Sequence, residues 1–357
     1  MELFYFSTLP EFKTPEGFLS INNYLCQKKF PLISPADIFS ISSTKQFEKI
    51  ALKVFRFQYD NNVVYREFCH YLNVEKHDVK SLQQIPFLPI QFFKSHEILS
   101  SEEKVQETFT SSGTTGMTTS RHLVTDITLY EESYRKAFSE FYGNIEDYAV
   151  LALLPSYLDR EGSSLIYMVD DLINLSNHPE SGFYLNNYDE LIQKLIKLDS
   201  AGENIILIGV TYALLDLIEK QNFQLKNTII METGGMKGRR KEMIREELHD
   251  LLCKGFGVDA IHSEYGMTEL LSQAYSLGHG VFECPNWMQI LIRDTEDALS
   301  YVENGKTGGI NVIDLANINS CSFIATQDLG KKKPNNSFEV LGRFDNSDIR
   351  GCNLMVL

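Results

Sequence analysis

Residues Thr110-Ser111-Ser112-Gly113-Thr114-Thr115-Gly116 are seven small residues in a row, too small to build a core. Two glycines allow positive φ and close backbone approach, and successive N–H groups in such a turn make a concave nest for an anion. Hydroxyls from Ser111, Ser112, Thr114 and Thr115 add donors, and β-prone Phe109 anchors the near side. The run predicts a phosphate-binding loop, although it lacks the G-x-x-x-x-G-K-[ST] spacing of a P-loop.

Three further segments carry chemical groups. Glu264-Tyr265-Gly266-Met267-Thr268-Glu269 follows a strand-like stretch at 259–263 and presents a ring and an acid from one turn; ordinary strand–turn–helix junctions can look the same. Thr326-Gln327-Asp328-Leu329-Gly330 puts an acid at the end of a β pattern, where a ribose diol fits, though Asp before Gly also marks plain turns. Gly342-Arg343-Phe344-Asp345-Asn346-Ser347-Asp348-Ile349-Arg350-Gly351 packs two acids and two arginines into ten residues, followed by Cys352.

The elements that position these groups follow from periodicity. Residues 1–100 read as helical and irregular, with Pro86 and Pro89 forbidding an ordinary helix across 85–90. Apolar runs at 149–154, 205–210 and 228–231 read as buried strands. Between them Leu191, Ile192, Leu195 and Ile196 form a helical stripe, as do Ile244, Leu248, Leu251 and Leu252. Alternating strands and helices predict an α/β fold with parallel strands. From about 280 the texture becomes short strands, at 281–293, 308–315, 321–327 and 338–341. The expected organisation is a helical part (1–100), an α/β core (101–278), a β subdomain (279–345) and a tail (346–357).

Composition narrows the function. The chain has 357 residues, 43% hydrophobic and 23% charged, as globular proteins do. A net charge of −15 argues against nucleic acid or an anionic membrane surface as partner, so a bound nucleotide would need local positive charge. Cys26, Cys69, Cys253, Cys284, Cys321 and Cys352 are scattered without a C-x-x-C pair, fitting neither a zinc site nor a disulfide framework. With no signal peptide and no apolar run of spanning length, a cytoplasmic setting is expected.

In order along the chain, these motifs resemble the adenylate-forming superfamily of acyl-CoA synthetases, non-ribosomal adenylation domains and luciferases. Its hydroxyl-rich loop matches Ser111–Gly116, its aromatic-Gly-x-Thr-Glu motif Tyr265–Glu269, its ribose strand Thr326–Gly330 and its Gly-Arg-x-Asp hinge Gly342–Asp345. The resemblance covers roughly 85–352 and implies ATP, cleaved to AMP, with Mg²⁺. It would place the β- and γ-phosphates on Ser111, Ser112, Gly113, Thr114, Thr115 and Gly116, and adenine against Tyr265 and Gly266 beside Gly234 and Gly235. Thr268 would touch the α-phosphate, Glu269 the metal, Asp328 the ribose hydroxyls and Arg343 the ribose or phosphate.

Two departures refine it. The family's loop carries a Lys three residues past its second Gly, where Thr119 stands here; Arg121 is the candidate substitute. The hinge normally leads into a C-terminal cap domain with a catalytic Lys, whereas twelve residues follow Asp345, so the expectation is the large N-terminal domain with its β subdomain and without the cap. Cys352, and the 86–94 segment Pro-Phe-Leu-Pro-Ile-Gln-Phe-Phe-Lys, resemble the acyl-protein synthetases of the LuxE type. That family activates a fatty acid, takes the acyl group on a C-terminal Cys and passes it to a partner reductase. The seven residues from Asp345 to Cys352 span at most about 25 Å, enough to reach an adenylate at the hinge. Left open are an AMP-forming ligase of the phenylacetate-CoA branch and a non-catalytic nucleotide-binding subunit.

Overall fold

The computed structural model describes residues 33–111, 119–155, 162–185, 187–234 and 243–344. It opens with helices α1 (Pro35–Phe39), α2 (Thr44–Asn61) and α3 (Val63–Tyr71), then the short strand β1 (Leu88–Pro89) and helix α4 (Phe92–Ser95). Ser34 and Ser43 cap α1 and α2 by accepting the N–H of Asp37 and Gln46, which satisfies donors the first helical turn leaves free. A hairpin follows, β2 (Glu107–Thr110) with β3 (Arg121–Val124), Thr110 lying opposite Arg121.

The core alternates: α5 (Ile127–Tyr142), β4 (Ala149–Leu153), α6 (Ser164–Ser176), β5 (Gly182–Phe183), α7 (Tyr188–Ser200), β6 (Ile205–Val210), α8 (Thr211–Lys220), β7 (Thr228–Thr233), α9 (Arg245–Phe256), β8 (His262–Tyr265) and β9 (Ala274–Ser276). Its six strands run β5-β4-β6-β7-β8-β9, parallel except for β9. Every residue of β4 and β6 is buried, as expected of a sheet covered on both faces. Phe138 of α5 and Met168 and Leu172 of α6 pack on one face, over Val150, Ile208 and Met231. On the other face Glu232 of β7 meets Thr211 of α8 and Arg245 and His249 of α9.

The second sheet runs β10 (Val281–Phe282), β14 (Phe338–Arg343), β13 (Phe323–Lys332), β12 (Thr307–Asp314) and β11 (Met288–Arg293), all antiparallel. The proline segment joins it: β1 lies parallel to β13, with Leu88 opposite Ile324, which fits prolines on an edge. Gln58 of α2, fully buried, donates to the carbonyls of Asn317 and Ile318 and accepts from the N–H of Ser322, tying the helical segment to the β sheet. Among the described residues, no helix is long and apolar enough to cross a membrane.

The mixed α/β architecture matches the expectation, with three local differences; residues 1–32 of the expected helical part and the expected tail (346–357) lie outside the described residues. The stretch at 281–293 is two strands, because Pro285 interrupts the ladder. Asp328 lies inside the ten-residue β13 rather than at a strand end, with the register shifting just after it, between Leu329 and Gly330. Glu264 and Tyr265 end β8, so strand pairing and not a free turn aims them.

Candidate active site

The hairpin reaches the acidic turn through its far strand. Ser111 closes the loop base, its N–H donating to the Ser120 carbonyl at 3.1 Å while its hydroxyl accepts the Ser120 N–H at 2.9 Å. The Ser120 hydroxyl then donates to Glu269 Oε1. Two residues on, the fully buried His122 places Nδ1 2.8 Å from the Thr268 carbonyl and Nε2 2.9 Å from Asn317 Oδ1. Burial pulls its pKa down to about 4, so the ring is neutral and donates to one of the two oxygens at a time. The Asn317 amide donates to the Glu269 and Cys321 carbonyls at 2.8 and 3.0 Å. Thr268 and Glu269 are thus held from the β2–β3 hairpin on one side and from the β subdomain on the other.

Glu269 is 7% exposed. Burial raises its carboxyl pKa, while Ser120 and the charges of Arg343 and Lys94 oppose the shift. Lys94 of α4 comes from the proline segment, and its neighbour Phe93 packs edge-on against His122 with ring centroids 5.7 Å apart.

Tyr265 faces the second sheet. Its hydroxyl donates to Asp328 Oδ2 at 2.9 Å, and its ring meets Phe282 and Phe338 edge-on. Asp328 Oδ1 accepts from Arg343 Nε at 3.2 Å, directly across the β13–β14 ladder. Each carboxylate oxygen thus accepts one hydrogen bond and keeps a further lone pair. Burial raises the Asp328 pKa against the pull of Arg343. Behind it the Arg293 guanidinium donates to the carbonyls of Ile310 and Thr326 and to Asn311 Oδ1, with its own pKa drawn down to about 10 by burial. The Arg343 side chain is 80% exposed.

Gly234 has φ +69, a left-handed turn that glycine alone takes without strain. Its carbonyl accepts from Thr211, and the preceding Thr233 donates to Glu264 Oε2 at 2.6 Å. The structure therefore brings together Ser111, Gly234, Tyr265, Gly266, Thr268, Glu269, Asp328 and Arg343. Ser112, Gly113, Thr114, Thr115, Gly116, Gly235 and Cys352 lie outside the described residues. Arg121 is exposed at the start of β3, across from Thr110. Ser120, His122, Asn317 and Arg293 were not legible as site residues: none sits in a recognisable motif, and only the folded hairpin and second sheet carry them to the acidic turn; Lys94 closes the 86–94 segment, where nothing in the sequence marks it for the site.

The chain resembles known proteins over most of its length. A sequence profile described as "Acyl-protein synthetase, LuxE" matches residues 29–138 and 175–357. Two proteins named long-chain-fatty-acid–luciferin-component ligase are similar to it. The one from Vibrio harveyi is 24% identical over 342 residues, covering 88% of this chain and 89% of its own; the one from Aliivibrio fischeri is 23% identical, covering 86% of each. Among solved structures, 2-hydroxyisobutyryl-CoA ligase in its postadenylation state superposes with a TM-score of 0.63 at 12% identity, over 91% of this chain and 73% of that one. ATP-bound MatB from Rhodopseudomonas palustris gives 0.51 at 15% identity, over 68% and 49%, so this chain matches about half of that enzyme's length. At such identities the superpositions speak for the fold: that of the adenylate-forming enzymes.

Proposed function

The chain belongs to the LuxE acyl-protein synthetase family, and from that premise we propose that it uses ATP to activate a carboxylic acid as acyl-adenylate and then takes the acyl group on Cys352. The observation that carries the reading is the junction at 265–269. One short segment there meets the base of the phosphate loop through Ser120 and His122 and the ribose-type acid Asp328 through Tyr265.

In the first step a carboxylate oxygen attacks the α-phosphorus and the bond to pyrophosphate breaks. Two anions must meet, so catalysis is chiefly positioning and charge neutralisation. The loop at 111–116 would hold the β- and γ-phosphates, Thr268 the α-phosphate, and Asp328 the ribose. Tyr265 and Gly266, with Gly234 and Gly235, would flank the adenine. Arg343 and Lys94 supply the positive charge that an acidic chain has to provide locally.

Glu269 would hold a magnesium ion, since magnesium bound with a nucleotide needs only one or two carboxylates beside phosphate oxygens and water. Bound there, it would neutralise phosphate charge.

In the second step the thiolate of Cys352 attacks the acyl carbon, the carbon–oxygen bond breaks and AMP leaves with that oxygen. The acyl group then passes to an acceptor, a partner protein such as a reductase. Because the relatives are named for long-chain fatty acids, a fatty acid is the proposed substrate. A reducing, cytoplasmic setting belongs to the proposal, since Cys352 acts as a thiol and Cys69, Cys253, Cys284 and Cys321 are free. The test uses acid labelled with oxygen-18 in its carboxyl group. One labelled oxygen is expected in the AMP formed; AMP without label would show that the carboxylate never attacked phosphorus.

A further inference from the structure

Arg293 ends β11 and stands in no sequence motif, yet its guanidinium lies behind the ribose-type acid. The β12–β13 ladder changes register there. Between the pairs Asn311–Ala325 and Gly309–Leu329, Ile310 alone of β12 stands against Thr326, Gln327 and Asp328 of β13. Such a bulge leaves backbone groups out of the ladder and re-aims the side chains it carries. The other edge of β13 shifts register between Leu329 and Gly330. Asp328 therefore sits between two irregularities, and regular sheet pairing alone does not fix its direction.

Arg293 fills the bulge. One guanidinium nitrogen donates to the Ile310 carbonyl and to Asn311 Oδ1, both at 2.8 Å, and another to the Thr326 carbonyl at 2.6 Å. Thr326 links this set to the acid: its hydroxyl donates to the Ile310 carbonyl at 2.9 Å and accepts the Asp328 N–H at 3.1 Å. Gly309 makes the room, since a Cβ there would lie 2.4 Å from Arg293 Cζ. Phe344 lies over the guanidinium, its ring centroid 5.5 Å from Cζ. Its N–H donates at 2.8 Å to the carbonyl of Gln327, the middle residue of the bulge. The charge reaches the acid as well: burial raises the Asp328 carboxyl pKa, and Arg343 and Arg293 oppose the rise.

We propose that Arg293 is the positioning residue that makes the nucleotide site read ribose: by holding the bulge it aims the Asp328 carboxylate at both sugar hydroxyls, acting through Asp328 rather than on the nucleotide. This rests on the reading of Asp328 as the ribose acid in the activation reaction above. A planar fork that bonds acceptors on two strands at once is what arginine offers and lysine does not. Arg343 meets the same carboxylate from a largely exposed side chain, so it adds charge, whereas Arg293 is tied to the backbone that carries the acid.

The test is equilibrium binding of ATP, 2′-deoxy-ATP and 3′-deoxy-ATP to the full chain. Loss of either hydroxyl should weaken wild-type binding about tenfold or more, as expected for a hydrogen bond to a charged group. Arg293→Lys, which keeps the charge without the fork, should bring both ratios to about threefold or less. Phe344→Leu leaves every hydrogen bond of the guanidinium in place and should narrow the ratios about threefold through the lost ring contact; it decides the matter if Arg293→Lys does not fold. Added to Asp328→Ala, Arg293→Lys should change ATP affinity by less than about twofold, because residues acting through one group are not additive. A merely structural role would lower the amount of binding-competent protein and leave the sugar ratios alone. Wild-type ratios retained in either variant overturn the proposal, as does equal affinity of the wild type for the three nucleotides. Ratios that behave as expected while no carboxylic acid elicits pyrophosphate exchange would sink the activation reaction and leave the role of Arg293 standing.

Discussion

Cys352→Ser should leave adenylate formation within about threefold of wild type and abolish the acyl-enzyme. In a single turnover with ATP and acid, intact-mass spectrometry should show wild-type protein heavier by one acyl group, mapped to Cys352, and the variant unmodified. The expectation follows from thiol chemistry. A cysteine with a pKa near 8.5 is about 3% thiolate at pH 7, and a mixed anhydride with AMP as leaving group reacts with even that fraction. Among the described residues the other cysteines are poor substitutes: burial pushes the Cys69, Cys284 and Cys321 thiols up to about 12 and raises Cys253 as well. If Cys352→Ser still delivers acyl groups to a free thiol such as coenzyme A at the wild-type rate, the second half-reaction belongs to that thiol and the self-acylation account is wrong.

The next largest effect is expected from Asp328→Ala, a fall in kcat/KM for ATP of about 10²–10⁴. Two hydrogen bonds from ribose hydroxyls to a carboxylate contribute about 1.5–3 kcal/mol each, and alanine removes both. The loss should appear as a higher KM for ATP with the KM for the acid little changed. A merely structural defect would instead lower the amount of active protein, reducing the apparent kcat while leaving both KM values unchanged. An ATP KM within about twofold of wild type would remove Asp328 from the nucleotide site.

How far the sequence reveals this site depends on whether a residue's role is local. Tyr265, Thr268, Glu269, Asp328 and Arg343 stand in short motifs whose spacing encodes a turn or strand, and they emerge side by side. The parallel core was legible for a similar reason: the apolar runs that became β4, β6 and β7 are buried on both faces and separated by helical stripes. What stayed hidden depends on long-range pairing. The His122 contacts to Thr268 and Asn317 cross 146 and 195 residues of sequence, and nothing in Arg-His-Leu-Val suggests them. The face that Glu264 occupies was equally hidden, because it depends on the pairing of β8 with β7 and β9. The proline segment read as a connector, yet its backbone extends the second sheet beside β13.

The most direct test of the central claim is exchange of labelled pyrophosphate into ATP, with and without added carboxylic acid, on the purified chain. The account predicts exchange that depends on the acid, saturates with it and collapses in Asp328→Ala but not in Cys352→Ser. Nucleotide binding with no acid-dependent exchange across the panel of acids would contradict it and leave a nucleotide-binding subunit in place of an activating enzyme.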